Sequence, residues 1–293
     1  MQQVQARQVQ QIPFLNKKLI KKAVLYLLLT ALGIIFIYPF LFMISASFKS
    51  NTEIMTSMSL IPQQISFEAF RNGWVGVGQH GFTTFFRNTF ILVIPTVAFT
   101  IISSSVVAYG FARFRFRFNK ILFLVMISTM MLPSAVVIIP RYILFRQFGW
   151  LNTFLPWIVP AIFAVHPFFI FAMMQFMRGI PKELDESAVI DGCNTLEIFT
   201  RIILPLCKPA LFSIGIFQFI WTWNDFFNAL IYLNSVRNFT VMLGLRMSMD
   251  TTSAFHWNQI MAMSFVTMIP CIVIFFAAQK YFVEGISTTG LKG

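Results

Sequence analysis

The chain has 293 residues, of which 57% are hydrophobic and only 11% are charged, whereas a soluble domain is roughly 25% charged. With 37 phenylalanines and a mean hydropathy of +0.75, it cannot cover a globule with polar groups. This composition excludes a soluble enzyme, and also a disordered chain, whose mark is low hydrophobicity. The net charge of +12 would indicate a nucleic-acid partner in a soluble protein, so its meaning here depends on where the charges lie.

Six long runs without charged residues predict six membrane-spanning helices. The runs are continuously apolar rather than alternating, which favours helices over a barrel. They lie at 23–48, between Arg87 and Arg113, between Lys120 and Arg141, between Arg146 and Arg178, at 209–224, and between Asp250 and Lys280. The fold class is therefore an all-α polytopic membrane protein. Its predicted parts are a leader (1–22), the first span (23–48), an external loop (49–87), a five-helix core (88–279) and a tail (280–293).

The basic residues predict the orientation of the spans. Of the 22 Lys and Arg residues, about two thirds fall in the leader, the second and fourth loops and the tail. The positive-inside rule places these segments, with both termini, in the cytoplasm, and makes 49–87 periplasmic in a bacterial inner membrane. The first apolar run is longer than that of a signal peptide, so we expect a retained span. The basic excess thus indicates topology, and no nucleic-acid partner is expected.

The fourth loop (178–205) differs from the rest because it is acidic. It holds five of the ten Asp and Glu residues of the chain. Pro181 suits the first turn of a helix, Gly192 suits a left-handed helix stop, and Asn194 or Thr195 can cap a second short helix with Glu197 in its first turn. The loop therefore predicts a helix–turn–helix at the cytoplasmic face. From the residues alone, an ordinary charged loop fits equally well.

The spacing within this loop resembles the Glu-Ala-Ala signature of membrane subunits of binding-protein-dependent ABC importers. The matching residues are Glu186, Ala188, Asp191, Gly192, Ile202, Leu204 and Pro205. The chain departs from the signature at Ser187, where Ala is usual, and Ser is small enough to preserve the packing. Ser47-Phe48-Lys49, Trp223-Asn224-Asp225-Phe226 and the C-terminal segment 283–293 are also similar to maltose-type permeases, the last to their MalG-like subunit.

This resemblance implies a type I (MetI-like) importer fold and an assembly. Its expected partners are a second homologous permease subunit, a dimer of ABC ATPases and an external solute-binding protein. The loop, including Ser187, would be the coupling helix seated in the ATPase, and the tail with Gly290 and Lys292 would reach the ATPases. ATP and Mg²⁺ would be bound by the partner, so this chain would carry no cofactor, no metal and no catalytic residue. The cargo would be a sugar or oligosaccharide.

Polar residues near the spans are candidates for the translocation path. His166, within the fourth span, is either hydrogen-bonded to a neighbouring helix, path-lining or, least simply, a haem ligand. Trp221, Trp223, Asn224 and Asp225 end the fifth span. Their aromatic faces and polar groups suit sugar rings, but an interfacial aromatic belt explains the tryptophans without a ligand. Ser103, Ser104 and Ser105 predict close helix packing.

The alternative functions are a secondary transporter or channel and a membrane enzyme. A self-sufficient secondary transporter or channel needs ionisable residues at mid-membrane, and the spans offer only His166. A membrane enzyme needs a metal cluster, a nucleophile triad or paired carboxylates, and none is evident in the spans. Four arginines expected on the outer side leave room for an acidic oligosaccharide, such as an alginate fragment, as the cargo. They are Arg71, Arg141, Arg237 and Arg246.

Overall fold

The computed structural model describes residues 17–76, 80–249 and 256–290, and within these ranges the chain is helical with no β-strand. The helices are α1 (Lys17–Ala46), α2 (Asn51–Thr56), α3 (Glu68–Val75), α4 (Phe82–Arg113), α5 (Asn119–Met130), α6 (Ser134–Gln147), α7 (Leu155–Ile162), α8 (Pro167–Arg178), α9 (Glu183–Ile190), α10 (Thr195–Glu197), α11 (Leu204–Leu206), α12 (Lys208–Trp223), α13 (Phe226–Tyr232), α14 (Val241–Met249) and α15 (Trp257–Gly290). A π-helical segment (Ile198–Ile203) joins α10 to α11, and a 3-10 turn (Val236–Asn238) precedes α14.

These helices include four segments that are long and apolar enough to cross a membrane: Leu19–Ala46, Phe82–Arg113, Leu155–Arg178 and Trp257–Gln279. Two bent helix pairs raise the number to six if each pair is counted as one span. The angle is 102° between α5 and α6, and 75° between α10–α11 and α12. The predicted all-α polytopic class is confirmed.

The segment expected to form the third span is sharply bent. Helix α5 ends at Met130, and α6 begins at Ser134 after Pro133. Proline lacks the N–H that would continue the ladder, and its ring disfavours helical geometry at the preceding residue. The bend carries Arg141, placed at the end of the third span from the sequence, into the interior of α6.

Helix α4 is the centre of the bundle and packs against α7, α8 and α12. Small side chains permit the close approach, as the serine run predicted. Ser104 and Ser105 are buried and donate to carbonyls one turn earlier. Ser103 donates across to the carbonyl of Ala161 at 2.7 Å, which ties α4 to α7. A motion of α4 would therefore be transmitted to the spans around it.

The first span lies at the periphery. Helix α1 packs against α15, and its side chains, such as Leu27 at 73% and Phe36 at 69%, are exposed. Only lipid or another apolar chain can solvate such a surface. Just after the end of α1, Lys49 is fully buried, with its ammonium donating to the carbonyl of Ser59 and lying 4.0 Å from the Glu53 carboxylate. The Ser-Phe-Lys motif thus anchors the following loop to the end of the helix.

Candidate functional site

The acidic loop folds as the two short helices expected from its sequence. Gly192 ends α9 in the left-handed region with φ 82°. A capping box then starts α10, because Asn194 Oδ1 accepts from the Glu197 N–H and Glu197 Oε2 accepts from the Asn194 N–H, both at 3.0 Å. The cap is therefore Asn194 rather than Thr195. Pro181 precedes α9, which begins at Glu183, so its expected place in the first turn is wrong by two residues.

The two short helices α9 and α10 (183–197) are here called the knob. A mostly buried ion pair holds the knob against the central helix α4. Arg113, the last residue of α4, places its Nε 2.8 Å from Oδ2 of Asp185 in α9, with side chains 5% and 20% exposed. The same guanidinium donates through Nη1 to the carbonyl of Ile180 at 3.1 Å. Ala188, which is also in α9, is buried in the adjacent hydrophobic core. Sequence reasoning missed this pair because Arg113 served there only as a topology marker.

The opposite face of the knob is apolar and exposed. Val189 is 61%, Ile190 86% and Leu196 68% exposed, although they belong to helices outside the four continuous spans. Of the expected coupling residues, Glu186, Ser187, Asp191 and Gly192 are exposed on the same short segment. Ser187 Oγ donates to the Glu183 carbonyl at 2.8 Å, so the unusual Ser is accommodated within its own helix.

The second half of the motif faces inward. Ile202 and Leu204 pack partly buried against the core around Ile203, which is fully buried. Pro205 is exposed in the first turn of α11. Ile202 and Leu204 therefore pack into the protein, whereas Pro205 remains at the surface. The π-helical segment that holds them had no signal that we recognised in the sequence.

Part of the expected tail site lies beyond the structure. Gly290 is the last residue of α15, and Lys292 lies outside the described residues. The helix thus continues past the predicted end of the sixth span at 279.

A cavity of about 530 Å³ lies among the spans. Three expected path residues line it: His166, Trp221 and Asp225. The polar residues that join them were not anticipated for the path: Thr96, Arg141, Gln218, Thr222, Asn228 and Tyr232. Arg141 reaches the cavity because of the bend before α6, and Gln218 lies one helical turn before Thr222, to which its amide donates at 2.7 Å. The cavity therefore combines aromatic faces with hydrogen-bonding groups.

Asp225 is held in place by two elements. Its Oδ2 accepts from the indole N–H of Trp157 in α7 at 2.7 Å. Its Oδ1 accepts from the backbone N–H of Asn228 at 3.2 Å, which caps α13. Nearby, the phenol of Tyr232 lies beside Arg141, and burial raises the pKa of Tyr232.

His166 lies in the break of the fourth span rather than within a helix. It is the N-cap of α8, just after Ala164, whose φ of 56° interrupts the chain between α7 and α8. Its ring meets the edge of Phe169 with centroids 5.9 Å apart. Together with its place in the cavity wall, this geometry favours the path-lining interpretation.

The two other expected path residues do not line the cavity. Trp223 is 1% exposed, stacks on Phe219 and donates its indole N–H to the Thr267 carbonyl at 3.2 Å, so it belongs to the core. Asn224 is exposed and donates back to the Ile220 carbonyl at 2.8 Å. Two residues along a helix are about 200° apart, so Trp221 and Trp223 necessarily face different surroundings. The belt interpretation is wrong for Trp223.

A helical bundle around a polar cavity, with a small apolar-faced knob outside the four continuous spans, fits a transport protein. The chain belongs to the family described as binding-protein-dependent transport system inner membrane component, whose model matches residues 101–288. It is accordingly a multi-pass, non-catalytic permease subunit of an ABC importer.

Individual relatives agree with this family. The arabinooligosaccharides transport system permease protein AraQ of Halalkalibacterium halodurans is 32% identical, over 89% of this chain and 93% of its own. The trehalose/maltose transport system permease protein MalG of Thermococcus litoralis is 27% identical, over 95% of this chain and 100% of its own. A solved bacterial ABC transporter involved in alginate import matches with a TM-score of 0.80 and 24% identity, over 90% of this chain and 96% of that one. The predicted importer fold is confirmed.

Proposed function

We propose that this chain forms half of the translocation path of an ATP-driven importer of sugars or oligosaccharides and couples to the ATPase through α9 and α10. The second half would come from a homologous permease subunit, and cargo would be delivered by an external solute-binding protein. An ABC ATPase dimer would bind ATP and Mg²⁺. The exposed apolar face of the knob is the observation that carries the coupling proposal.

The exposed apolar face of the knob would be stabilised by contact with a partner protein. Ile190 at 86% exposure lies on a short helix that is followed by a turn at Gly192. Burying one such side chain in a partner contributes about 1.5–3 kcal/mol, while the Arg113–Asp185 pair on the other side gives the knob a firm base. A cleft in the ATPase with apolar walls and basic groups opposite Glu186 and Asp191 would complement it.

The orientation follows from the charge distribution. The second and fourth loops and both termini carry about two thirds of the Lys and Arg residues, which supports cytoplasmic termini and a cytoplasmic knob that can reach the ATPase. ATP binding would then favour one of two arrangements of the spans, because the ATPase grips the knob differently in each. Arg113 passes that bias to α4, the centre of the bundle.

Copurification with the ATPase tests the coupling proposal. We expect Ile190→Asp to weaken the complex by about thirtyfold, since it removes a side chain that the ATPase would bury and places a charge in the contact. Ile61→Asp is the matched control, because Ile61 is 79% exposed in the loop expected on the opposite side of the membrane. Equal ATPase retention by both variants and the wild type would overturn the coupling role of this loop.

A secondary transporter is the alternative function. It would import its cargo with the ATPase absent, whereas the proposed importer is inactive without ATP hydrolysis. Membership of the ABC importer family supports the latter. Transport in proteoliposomes with and without the ATPase partner separates the two.

Sugar as the cargo is supported by the named relatives and by the cavity. Trp221 is 48% exposed, and Trp157 also lines the wall, so both indoles are available for stacking on pyranose faces. Arg141 in the same wall favours an acidic sugar as a second candidate, and it is the one of the four outward arginines that lines the cavity. Arg141→Gln should lower uptake of a uronate oligosaccharide and spare a neutral one. Equal effects on both would leave neutral sugars as the cargo.

A further inference from the structure

A second cavity, of about 540 Å³, lies where α4 gives way to α5. Five cationic side chains line it beside the buried Arg113: Arg115, Arg117, Lys120, Arg178 and Lys182. No carboxylate is among its lining residues. Within the described part of the chain, the ion pairs involve Lys49, Arg113 and Arg201, so these five cations are not neutralised by a carboxylate.

The cavity surrounds the loop between α4 and α5, where aromatic residues alternate with the cations. Phe111, Phe114 and Phe116 line it together with the cations. The guanidinium of Arg178 lies over the ring of Phe123, 5.8 Å from its centroid, and its Nη2 donates to the Phe111 carbonyl at 3.5 Å. This contact holds Arg178 against the wall, and a cation over an aromatic face is stabilised there.

The position of the cavity relates it to the membrane surface. The span formed by α4 ends at Arg113, and α5 starts six residues later at Asn119. On α5 an apolar face begins immediately, with Ile121 59%, Leu124 66% and Val125 55% exposed. A ligand with an anionic head and apolar tails can therefore place its head among the cations and its tails along α5.

We propose that this cavity binds the phosphate headgroup of an anionic phospholipid whose acyl chains lie along α5. Guanidinium and ammonium groups bind phosphate oxygens through charge-assisted hydrogen bonds, and basic pockets at the ends of spans suit such headgroups. A free phosphate would satisfy the cations but would leave the α5 face without its apolar contact. The proposal goes beyond the transport role and does not depend on it, because it concerns the solvation of this end of the bundle.

Lipid binding to the assembled importer tests the proposal. Native mass spectrometry would follow titration with phosphatidylglycerol and with phosphatidylcholine of the same acyl chains. Wild-type protein should bind phosphatidylglycerol in preference. Arg115→Gln/Arg117→Gln should weaken that binding by about thirtyfold, since each basic residue near a lipid surface contributes about fivefold. Lys21→Gln/Lys22→Gln, which removes two exposed charges from α1, is the matched control and should change binding by less than about threefold, since both charges lie outside the cavity.

Three outcomes would overturn the proposal: equal binding of the two lipids, equal losses in both double variants, or unchanged binding in the cavity variant. Displacement of phosphatidylglycerol by inorganic phosphate at comparable concentration would make the cavity a small-anion site instead. A photoactivatable phosphatidylglycerol provides a test on the wild type alone. Its crosslinks should concentrate in residues 111–124, and an even spread over α1 and α15 would contradict the site.

Discussion

Asp185→Asn removes the charge that holds α9 against the end of α4. The Arg113–Asp185 pair is short, at 2.8 Å, and mostly buried, with side chains 5% and 20% exposed. Breaking a fully buried pair costs about 3–5 kcal/mol, whereas an exposed pair is worth about 0.2–1 kcal/mol. The residual exposure of Asp185 places this pair between those limits, at about 2 kcal/mol. The docked state of α9 should therefore lose about thirtyfold in population relative to the undocked state.

Hydrogen–deuterium exchange of the assembled importer measures this change directly. Amides of α9 should lose about thirtyfold in protection, because their exchange follows the opening of the knob. Import per ATP hydrolysed should fall as well, since the ATPase would move a knob that no longer moves α4. Arg201→Gln is the matched control, because its 3.2 Å pair with Glu197 is exposed, at 72% and 32%, and should contribute less than about 1 kcal/mol.

The double variant Arg113→Gln/Asp185→Asn decides whether the pair acts as a unit. If it does, removing both charges should cost no more than the worse single change, because no charge is left buried without its partner. Costs that simply add would refute the reasoning. Unchanged α9 protection in Asp185→Asn would refute it too.

Three further changes probe the fold and the loop. Gly192→Val should weaken ATPase assembly more than Gly192→Asn, because φ 82° strains a β-branched residue and Asn tolerates it; equal copurification would contradict this. Gly244→Ala should lower the melting temperature, since the added Cβ would lie 2.1 Å from the Phe85 ring, at a cost of about 1–3 kcal/mol. Gly33→Ala is the control, because a Cβ added there would have no atom within 4 Å, and it should leave the melting temperature unchanged. Trp223→Phe should destabilise the bundle by about 1–3 kcal/mol, because the smaller ring leaves part of a fully buried site beside Phe219 unfilled; an unchanged melting temperature would argue against this role.

Local patterns in the sequence predicted much of the knob. Gly192 needs a left-handed turn, and the Asn194–Glu197 spacing forms a capping box; both depend on neighbours within four residues. The partner of Asp185 is 72 positions away along the chain, and nothing local connects it with Arg113.

The residues that line the cavity of about 530 Å³ were likewise only partly predicted from the sequence. Polar and aromatic residues at the end of the fifth span drew attention to Trp221 and Asp225, which do line it. Trp223 carries the same side chain two positions later and lies in the core. Composition cannot separate the two, because the helix phase relative to α4 and α15 decides which indole is buried.

The sequence by itself determined that this protein is solvated by lipid, which segments are apolar enough to be spans and which loop is unusually acidic, because these follow from hydropathy and charge along the chain. Only the tertiary structure decided that the third span bends sharply, that Arg141 faces the cavity, and that the knob is tied to α4 through Arg113. Those features arise from contacts between residues distant in sequence. Their energies depend on burial and geometry that a linear pattern does not contain.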